Sequence, residues 1–348
     1  MTIPGGVAPH DEAVVLSPEW LTAVLSAPHP GAVVSGARVT ERLETVATKM
    51  RFRVEYADDA VGAPAAPDAL CVKAYLSPEM RGRPAPRAEA DFYRTLAGKL
   101  PVRTPPCVHA DIDEETGHPL VLMHDLVAAG ARFGDPLVGF SAEQAAATLD
   151  QLAMLHAATW GAEHAHLAEV FPPRLASLAR HLGAEQLQGQ LDDGRAPSVP
   201  DPVRRADRVL AAVNSLTAAG GTCLVHGDLH TGNLYHTAEG APGLIDWQVV
   251  QHGAWALDVA YHLAAVLDPD ERARSERQLL DHYLDRLAAH GVIPPDRDDA
   301  WWAYRAHLPY GFFMWGITRR VHRPIIELLT DRLGRAVAWH DSFALLGV

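Results

Sequence analysis

The sequence predicts an α+β chain of two lobes, a small antiparallel sheet with one key helix followed by a larger, mainly helical lobe. Three observations carry that prediction. Short alternating or apolar runs of strand length crowd the first third, the texture changes after Met123-His124-Asp125-Leu126, and apolar residues beyond that point recur at helical spacing. A chain of 348 residues exceeds one comfortable core, and the change of texture places the lobes at 1–125 and 126–348.

Taken in order, Ser17-Pro18-Glu19-Trp20-Leu21 reads as a capped helix start with proline at the first helical position, packing on the first lobe. Arg51 to Tyr56 alternates strictly and Leu70 to Tyr75 forms a second strand, joined to it by an Ala-, Pro-, Gly- and Asp-rich loop at 57–69. Residues 87–99 follow as the helix, carrying Glu89, Phe92, Tyr93 and Leu96. Two more strands, near Cys107–Ala110 and Pro119–Met123, flank the polar turn Asp113-Glu114-Glu115-Thr116-Gly117 and complete the sheet. In the second lobe Ser141-Ala142-Glu143-Gln144 has the form of a capping box, and Leu149, Leu152 and Leu155 continue a helical stripe toward Trp160. Residues 183–202 read as a loop or broken helix. From 203 to 219, and from 254 onward, the pattern is mainly helical, interrupted by Pro294-Pro295 and by Gly311.

Composition sets the outer bounds. Hydrophobic content of 48% with 21% charged residues fits a globular enzyme, and no stretch approaches eighteen uninterrupted apolar residues. The first residues lack a basic stretch followed by an apolar run, and Cys71, Cys107 and Cys223 are odd in number and widely spread. The expectation is a cytoplasmic protein with reduced thiols and no membrane partner. A net charge of −13 argues against nucleic acid, whose phosphates need clustered Lys and Arg. Lysine is confined to Lys49, Lys73 and Lys99, so a lysine inside an apolar strand stands out.

The chemistry concentrates in His226-Gly227-Asp228-Leu229-His230-Thr231-Gly232-Asn233 and in Asp246, thirteen positions beyond Asn233 within Gly243-Leu244-Ile245-Asp246-Trp247. Phosphoryl transfer needs positioning, neutralisation of phosphate charge and a group that orients the attacking hydroxyl. Asp228, in a loop after the strand-like Cys223-Leu224-Val225, is the candidate base. Asn233 closes that loop, and a hairpin through Ala238-Glu239-Gly240 returns Asp246 to its side; the hard oxygens of the two suit Mg²⁺. Lys73 in its apolar strand can touch phosphate, oriented by Glu89 on the following helix or by Asp91, depending on the helix's rotation. His226 and His230 are read as bracing the loop, since imidazole is a poor partner for Mg²⁺.

This set of residues resembles the aminoglycoside phosphotransferase and choline kinase superfamily, whose loop often reads His-Gly-Asp-x-His-x-x-Asn. Ile245-Asp246-Trp247-Gln248 and Glu89-Ala90-Asp91-Phe92-Tyr93 bring it nearest to the ecdysteroid-kinase-like and related bacterial members, over residues 30–265. The resemblance implies a two-lobed protein-kinase-like fold and a small-molecule kinase with ATP or GTP as donor, a hydroxylated small molecule as acceptor and Mg²⁺ as cofactor. It implies Asp228 as base, Asn233 and Asp246 as metal ligands, and Lys73 with Glu89 on the phosphates. It further implies that the backbone of Met123, His124, Asp125 and Leu126 receives the purine, and that Asp258 holds the catalytic loop. A carboxylate at a helix N-terminus is the plainer reading of Asp258. The stretch Leu43 to Met50, where kinases carry a glycine-rich loop, has no glycine; Thr45, Thr48 and Lys49 are its candidate phosphate contacts.

The aromatic run Trp301-Trp302-Ala303-Tyr304-Arg305 to Phe312-Phe313-Met314-Trp315 reads chiefly as helix core, part of it a possible wall of the acceptor pocket. Two alternatives compete with the kinase reading. A metallophosphoesterase shares Asp228-Leu229-His230 and Gly232-Asn233 but needs more metal-binding residues downstream. A catalytically inactive kinase-like nucleotide-binding protein would have lost one of Lys73, Asp228, Asn233 or Asp246, and all four are present.

Overall fold

The computed structural model describes residues 3–44, 47–57, 66–77, 83, 85–180, 183–218 and 220–348. The chain divides into two compact units, Met1–Lys99 with Thr104–Arg132, and Leu100–Arg103 with Phe133–Val348. Among the described residues no helix is long and apolar enough to cross a membrane, and the three cysteines are free.

In the first unit, helices α1 (Glu12–Val15) and α2 (Pro18–Leu25) precede strands β1 (Val34–Glu44), β2 (Thr48–Tyr56) and β3 (Ala69–Ala74). Helix α3 (Ala88–Phe92), prolonged by a π-helical turn at Tyr93–Ala97, comes before β4 (Cys107–Ile112) and β5 (Pro119–His124). The strands form one antiparallel sheet in the order β1-β2-β3-β5-β4. Ser17 caps α2 as expected, its hydroxyl accepting from Trp20 N at 3.2 Å. Trp20, Leu21, Val24 and Leu25 then pack on one face of the sheet, against Met50, Phe52, Val54, Leu70, Val72 and Leu122. That apolar burial holds the unit together. Strand β1 is the element that sequence reading missed: after Val34 its side chains are half-buried or exposed, so no alternation marks it.

The two-residue strand β6 (Arg132–Phe133) straddles the point in sequence where the first unit ends, and the second continues through α4 (Ala142–Ala157), α5 (Leu167–Val170), α6 (Leu175–Arg180), α7 (Ala184–Leu191) and α8 (Ala206–Ala218). The capping box on α4 is complete, with Gln144 N donating to Ser141 Oγ at 3.2 Å and Ser141 N to Gln144 Oε1 at 2.9 Å. Short strands β7 (Cys223–Val225), β8 (Leu234–His236), β9 (Pro242–Leu244) and β10 (Gln251–Gly253) carry the loops of interest. Helices α9 (Ala256–Val266), α10 (Pro269–Ala289), α11 (Arg297–Ile317), α12 (Arg323–Trp339) and α13 (Ser342–Leu345) complete the chain.

Pro294-Pro295 does separate α10 from α11, but Gly311 does not interrupt the helix. Helix α11 runs through both Pro309 and Gly311. The glycine is a packing position instead: a Cβ there would stand 2.7 Å from Leu333 on α12 and from the Tyr261 ring on α9. Three helices approach at that point because one residue has no side chain.

Candidate active site

The loop after β7 is built around Gly227 and Asp258. Gly227 has φ of +81°, and a Cβ there would lie 2.6 Å from Val249 O, so glycine is required on both counts. The turn aims two consecutive backbone N–H groups at the buried carboxylate of Asp258 in the first turn of α9. His226 N donates to Oδ2 at 2.6 Å and Gly227 N to Oδ1 at 2.7 Å. His156 on α4 adds a third hydrogen bond, Nε2 to Oδ2 at 3.1 Å, while its Nδ1 accepts from Tyr283 Oη at 2.7 Å. Burial alone would raise the Asp258 pKa, but the His156 hydrogen bond and the backbone N–H groups around it hold it below the ordinary carboxylate value. Asp258 is thus more than a helix N-terminal carboxylate.

The two loop histidines are spent on the loop itself. His226 Nε2 donates to Ile245 O at 2.9 Å and its Nδ1 accepts from Asp228 N at 3.2 Å, tying the loop to the strand that leads into Asp246. His230 Nδ1 accepts from Gly232 N at 3.1 Å, and its ring meets Trp315 edge-on at 5.2 Å. Burial lowers the His230 pKa, against the pull of Asp228 and Asp246, which keeps the ring neutral and able to accept.

Asp228 is half-buried and has a partner on each carboxylate oxygen. Tyr261 Oη donates to Oδ1 at 2.7 Å, and Asn233 Nδ2 approaches Oδ2 at 3.3 Å while bonding Asp228 O at 2.7 Å. With its amide nitrogen so fixed, Asn233 presents its oxygen on the other side. Strands β8 and β9 pair Leu234 with Leu244, and Ile245 N donates to Asn233 O at 3.0 Å, so the hairpin forms as the spacing predicts. Asp246, the next residue, adopts the left-handed conformation with φ and ψ of 64°. An amide oxygen and a carboxylate on adjoining strand ends are hard donors that fit Mg²⁺ together with water and phosphate oxygens. Among the described residues no group of three or more His, Cys, Asp or Glu stands ready for a metal.

In the first unit Lys73 Nζ lies 2.6 Å from Glu89 Oε2, both side chains 8% exposed. The choice left open in the sequence falls to Glu89, because Asp91 is engaged by Arg94 at 2.8 Å. Residues directly opposite in a sheet share a face, and Lys49 pairs with Lys73. Thr48 therefore belongs to the other face, buried with Met50, Phe52 and Val54. Its side chain is turned into the core, which corrects the expectation that it faces phosphate; Lys49 has the right face, and Thr45 lies outside the described residues. After Met123, His124 N donates to Pro106 O at 2.9 Å and Asp125 N to Ala69 O at 3.1 Å. The Asp125 carboxylate receives Arg51 Nε at 3.0 Å and the N–H groups of Val127 and Ala128, which fixes the turn through Leu126.

Sequence reading missed four residues that complete the second unit's site: His156, Tyr261, Tyr310 and Trp315. Tyr310 Oη donates to Gly227 O at 2.5 Å, and Trp315 Nε1 donates to Tyr261 Oη at 2.6 Å. They sit in apolar helical stripes, where an aromatic residue signals core, and most of the aromatic run in α11 is core: Tyr304, Phe312 and Phe313 are fully buried. No spacing distinguishes the few whose polar atom points at the loop.

With this geometry in place the comparisons with known proteins can be read. The family model described as the ecdysteroid kinase-like family matches residues 87–291, more than half of the chain. The chain belongs to the ecdysteroid kinase-like family. As a member it is a small-molecule kinase, a phosphotransferase by class. No curated protein matches it by sequence. The ethanolamine kinase of Plasmodium vivax superposes with a TM-score of 0.50 at 13% identity, covering 86% of this chain and 81% of that one, and shows the protein-kinase-like fold. The choline/ethanolamine kinase family protein of Mesorhizobium loti has a TM-score of 0.49 at 16% identity, with 94% and 97% covered. For the choline kinase of Streptococcus pneumoniae the values are 0.47 and 12%, with 92% and 98% covered.

Proposed function

We propose that this kinase-like protein transfers the γ-phosphoryl group of ATP or GTP to a hydroxyl of a small molecule. The observation that carries the reading is the Asp228 loop, with a half-buried carboxylate hydrogen-bonded on both oxygens and set beside an amide–carboxylate pair suited to magnesium. Asp228 orients the acceptor hydroxyl and takes its proton as the new oxygen–phosphorus bond forms. The electron pair of the bond that breaks leaves with the nucleoside diphosphate. Asn233 and Asp246 would hold Mg²⁺, which neutralises charge on the β- and γ-phosphates. Lys73, oriented by Glu89, binds phosphate oxygens as a point charge, and Lys49 on the same face of the sheet adds a second. The segment Met123–Leu126 receives the purine through backbone groups other than the N–H of His124 and Asp125, which the sheet already uses. Asp258, His226 and His230 hold the loop in shape, and the protein works in the cytoplasm.

A panel of hydroxylated metabolites assayed for Mg²⁺-dependent release of ADP or GDP tests this reading. Acceptor-dependent release is expected, falling about a hundredfold or more in Asp228→Ala, as loss of one positioned polar group commonly does. Release that survives Asp228→Ala near the wild-type rate overturns the mechanism. Failure of the wild-type protein to turn over either nucleotide favours the inactive alternative.

A further inference from the structure

A chain of three hydrogen-bonding groups reaches the candidate base from the back of the site. Trp315 Nε1 on α11 donates to Tyr261 Oη at 2.6 Å, and Tyr261 Oη on α9 donates to Asp228 Oδ1 at 2.7 Å. Tyr261 is fully buried and Trp315 is 3% exposed, so neither bond competes with water. Burial and the Asp228 charge raise the phenol pKa well above its ordinary value, which keeps the proton on Tyr261. The phenol can give only one hydrogen, and Trp315 supplies the donor that its oxygen then accepts. Both ends of the chain are therefore committed in direction.

The consequence for Asp228 is an asymmetric carboxylate. Oδ1 is gripped at 2.7 Å by a buried hydroxyl, whereas Oδ2 has a longer contact of 3.3 Å from Asn233 Nδ2, whose shorter bond goes to Asp228 O at 2.7 Å. We infer that Tyr261, held by Trp315, is a positioning residue that fixes the Asp228 carboxylate so that Oδ2 is the oxygen presented to the acceptor hydroxyl. Helix α11 supports the same loop a second time through Tyr310 Oη on Gly227 O, so the helix sets both the loop's backbone and its acid group. This inference rests on the reading of Asp228 as the base.

The test uses the full-length protein, with Mg·ATP and Mg·GTP as probes, water as acceptor and ADP or GDP release as readout. Tyr261→Phe keeps the ring and removes both hydrogen bonds of the phenol, the one given to Asp228 and the one accepted from Trp315, and kcat is expected to fall about ten- to a hundredfold with KM for nucleotide unchanged, as for a lost bond to a charged group. Trp315→Phe is expected to cost about three- to tenfold in kcat. The double variant should match Tyr261→Phe alone, because the indole N–H that Trp315→Phe removes acts through the phenol while an aromatic ring stays against His230, and residues in one network do not add. Melting temperature of each variant separates loss of fold from loss of positioning. Wild-type kcat in a folded Tyr261→Phe, a fall confined to KM, or strictly multiplicative losses in the double variant each overturn the inference. Asp228→Asn run alongside separates the two levels: if it is inactive while Tyr261→Phe is unaffected, only the positioning role fails. If Asp228→Asn turns over normally, the base assignment fails and the inference with it.

Discussion

Asp258→Asn is the sharpest perturbation the structure offers, because it changes one atom in a fully buried group. The carboxylate accepts from His226 N, Gly227 N and His156 Nε2 at 2.6, 2.7 and 3.1 Å. An asparagine has one acceptor oxygen and must turn its NH₂ toward at least one of those donors. In the better orientation the oxygen keeps His226 N and His156, and the amide nitrogen confronts Gly227 N–H. One charge-assisted bond is lost, one buried N–H is orphaned, and the two remaining bonds lose their charge. At about 1.5–3 kcal/mol for the lost bond and about 1–3 for the unsatisfied donor, the cost is about 3–5 kcal/mol. For a unit of this size each kcal/mol moves the melting point by about 2–4 °C, so a drop of about 10 °C is expected. Thermal unfolding followed by circular dichroism measures it, and Mg²⁺-dependent nucleotide turnover should fall in the same variant, because the loop that bears Asp228 hangs on these bonds. A shift below about 2 °C with unchanged turnover would refute the argument that Asp258 organises the loop.

Three other outcomes follow from the same geometry. Glu89→Gln leaves the buried Lys73 charge without its 2.6 Å carboxylate, and kcat/KM for Mg·nucleotide in steady-state assays should fall about ten- to a hundredfold, with about 3 kcal/mol or more lost to urea unfolding of the first unit. Gly227→Ala forces a Cβ against Val249 O in a left-handed backbone and should cost about 2 kcal/mol or more, read from the denaturation midpoint. His307, buried in α11, has its pKa lowered by burial from 6.5 to about 4. Its folded pKa lies below the unfolded value, so the unfolded chain binds the proton first as pH falls. Its contribution is complete above pH 6.5 and is lost between there and about pH 4, by about 3 kcal/mol, and His307→Leu should flatten the stability curve across that window.

What could be read from the sequence, and what could not, divides along physical lines. The strands whose one face is buried announced themselves by alternation, as Arg51 to Tyr56 did, while the solvent-facing β1 carried no such mark. The hairpin returning Asp246 beside Asn233 was legible because turn residues fix loop length locally. Glu89 against Asp91 was not, since a helix's rotation about its axis is set by tertiary packing. Thr48 was misplaced by one residue of register, which in a strand reverses the face. Gly311 was misread because a glycine that breaks a helix and a glycine that admits a neighbouring helix look alike in one chain. Tyr261 and Trp315 lay hidden for a related reason: an aromatic ring's burial shows in periodicity, but the direction of its single polar atom does not.

Asp246 holds a left-handed backbone shape that glycine takes freely and that, among residues with a side chain, only a few such as asparagine and aspartate take at all often. Glycine there would relax the chain by about 1 kcal/mol while deleting the carboxylate. With Asp246 as the proposed magnesium ligand, stability and chemistry pull this position in opposite directions, and a laboratory selection for heat tolerance alone would enrich hardier proteins that have lost that carboxylate.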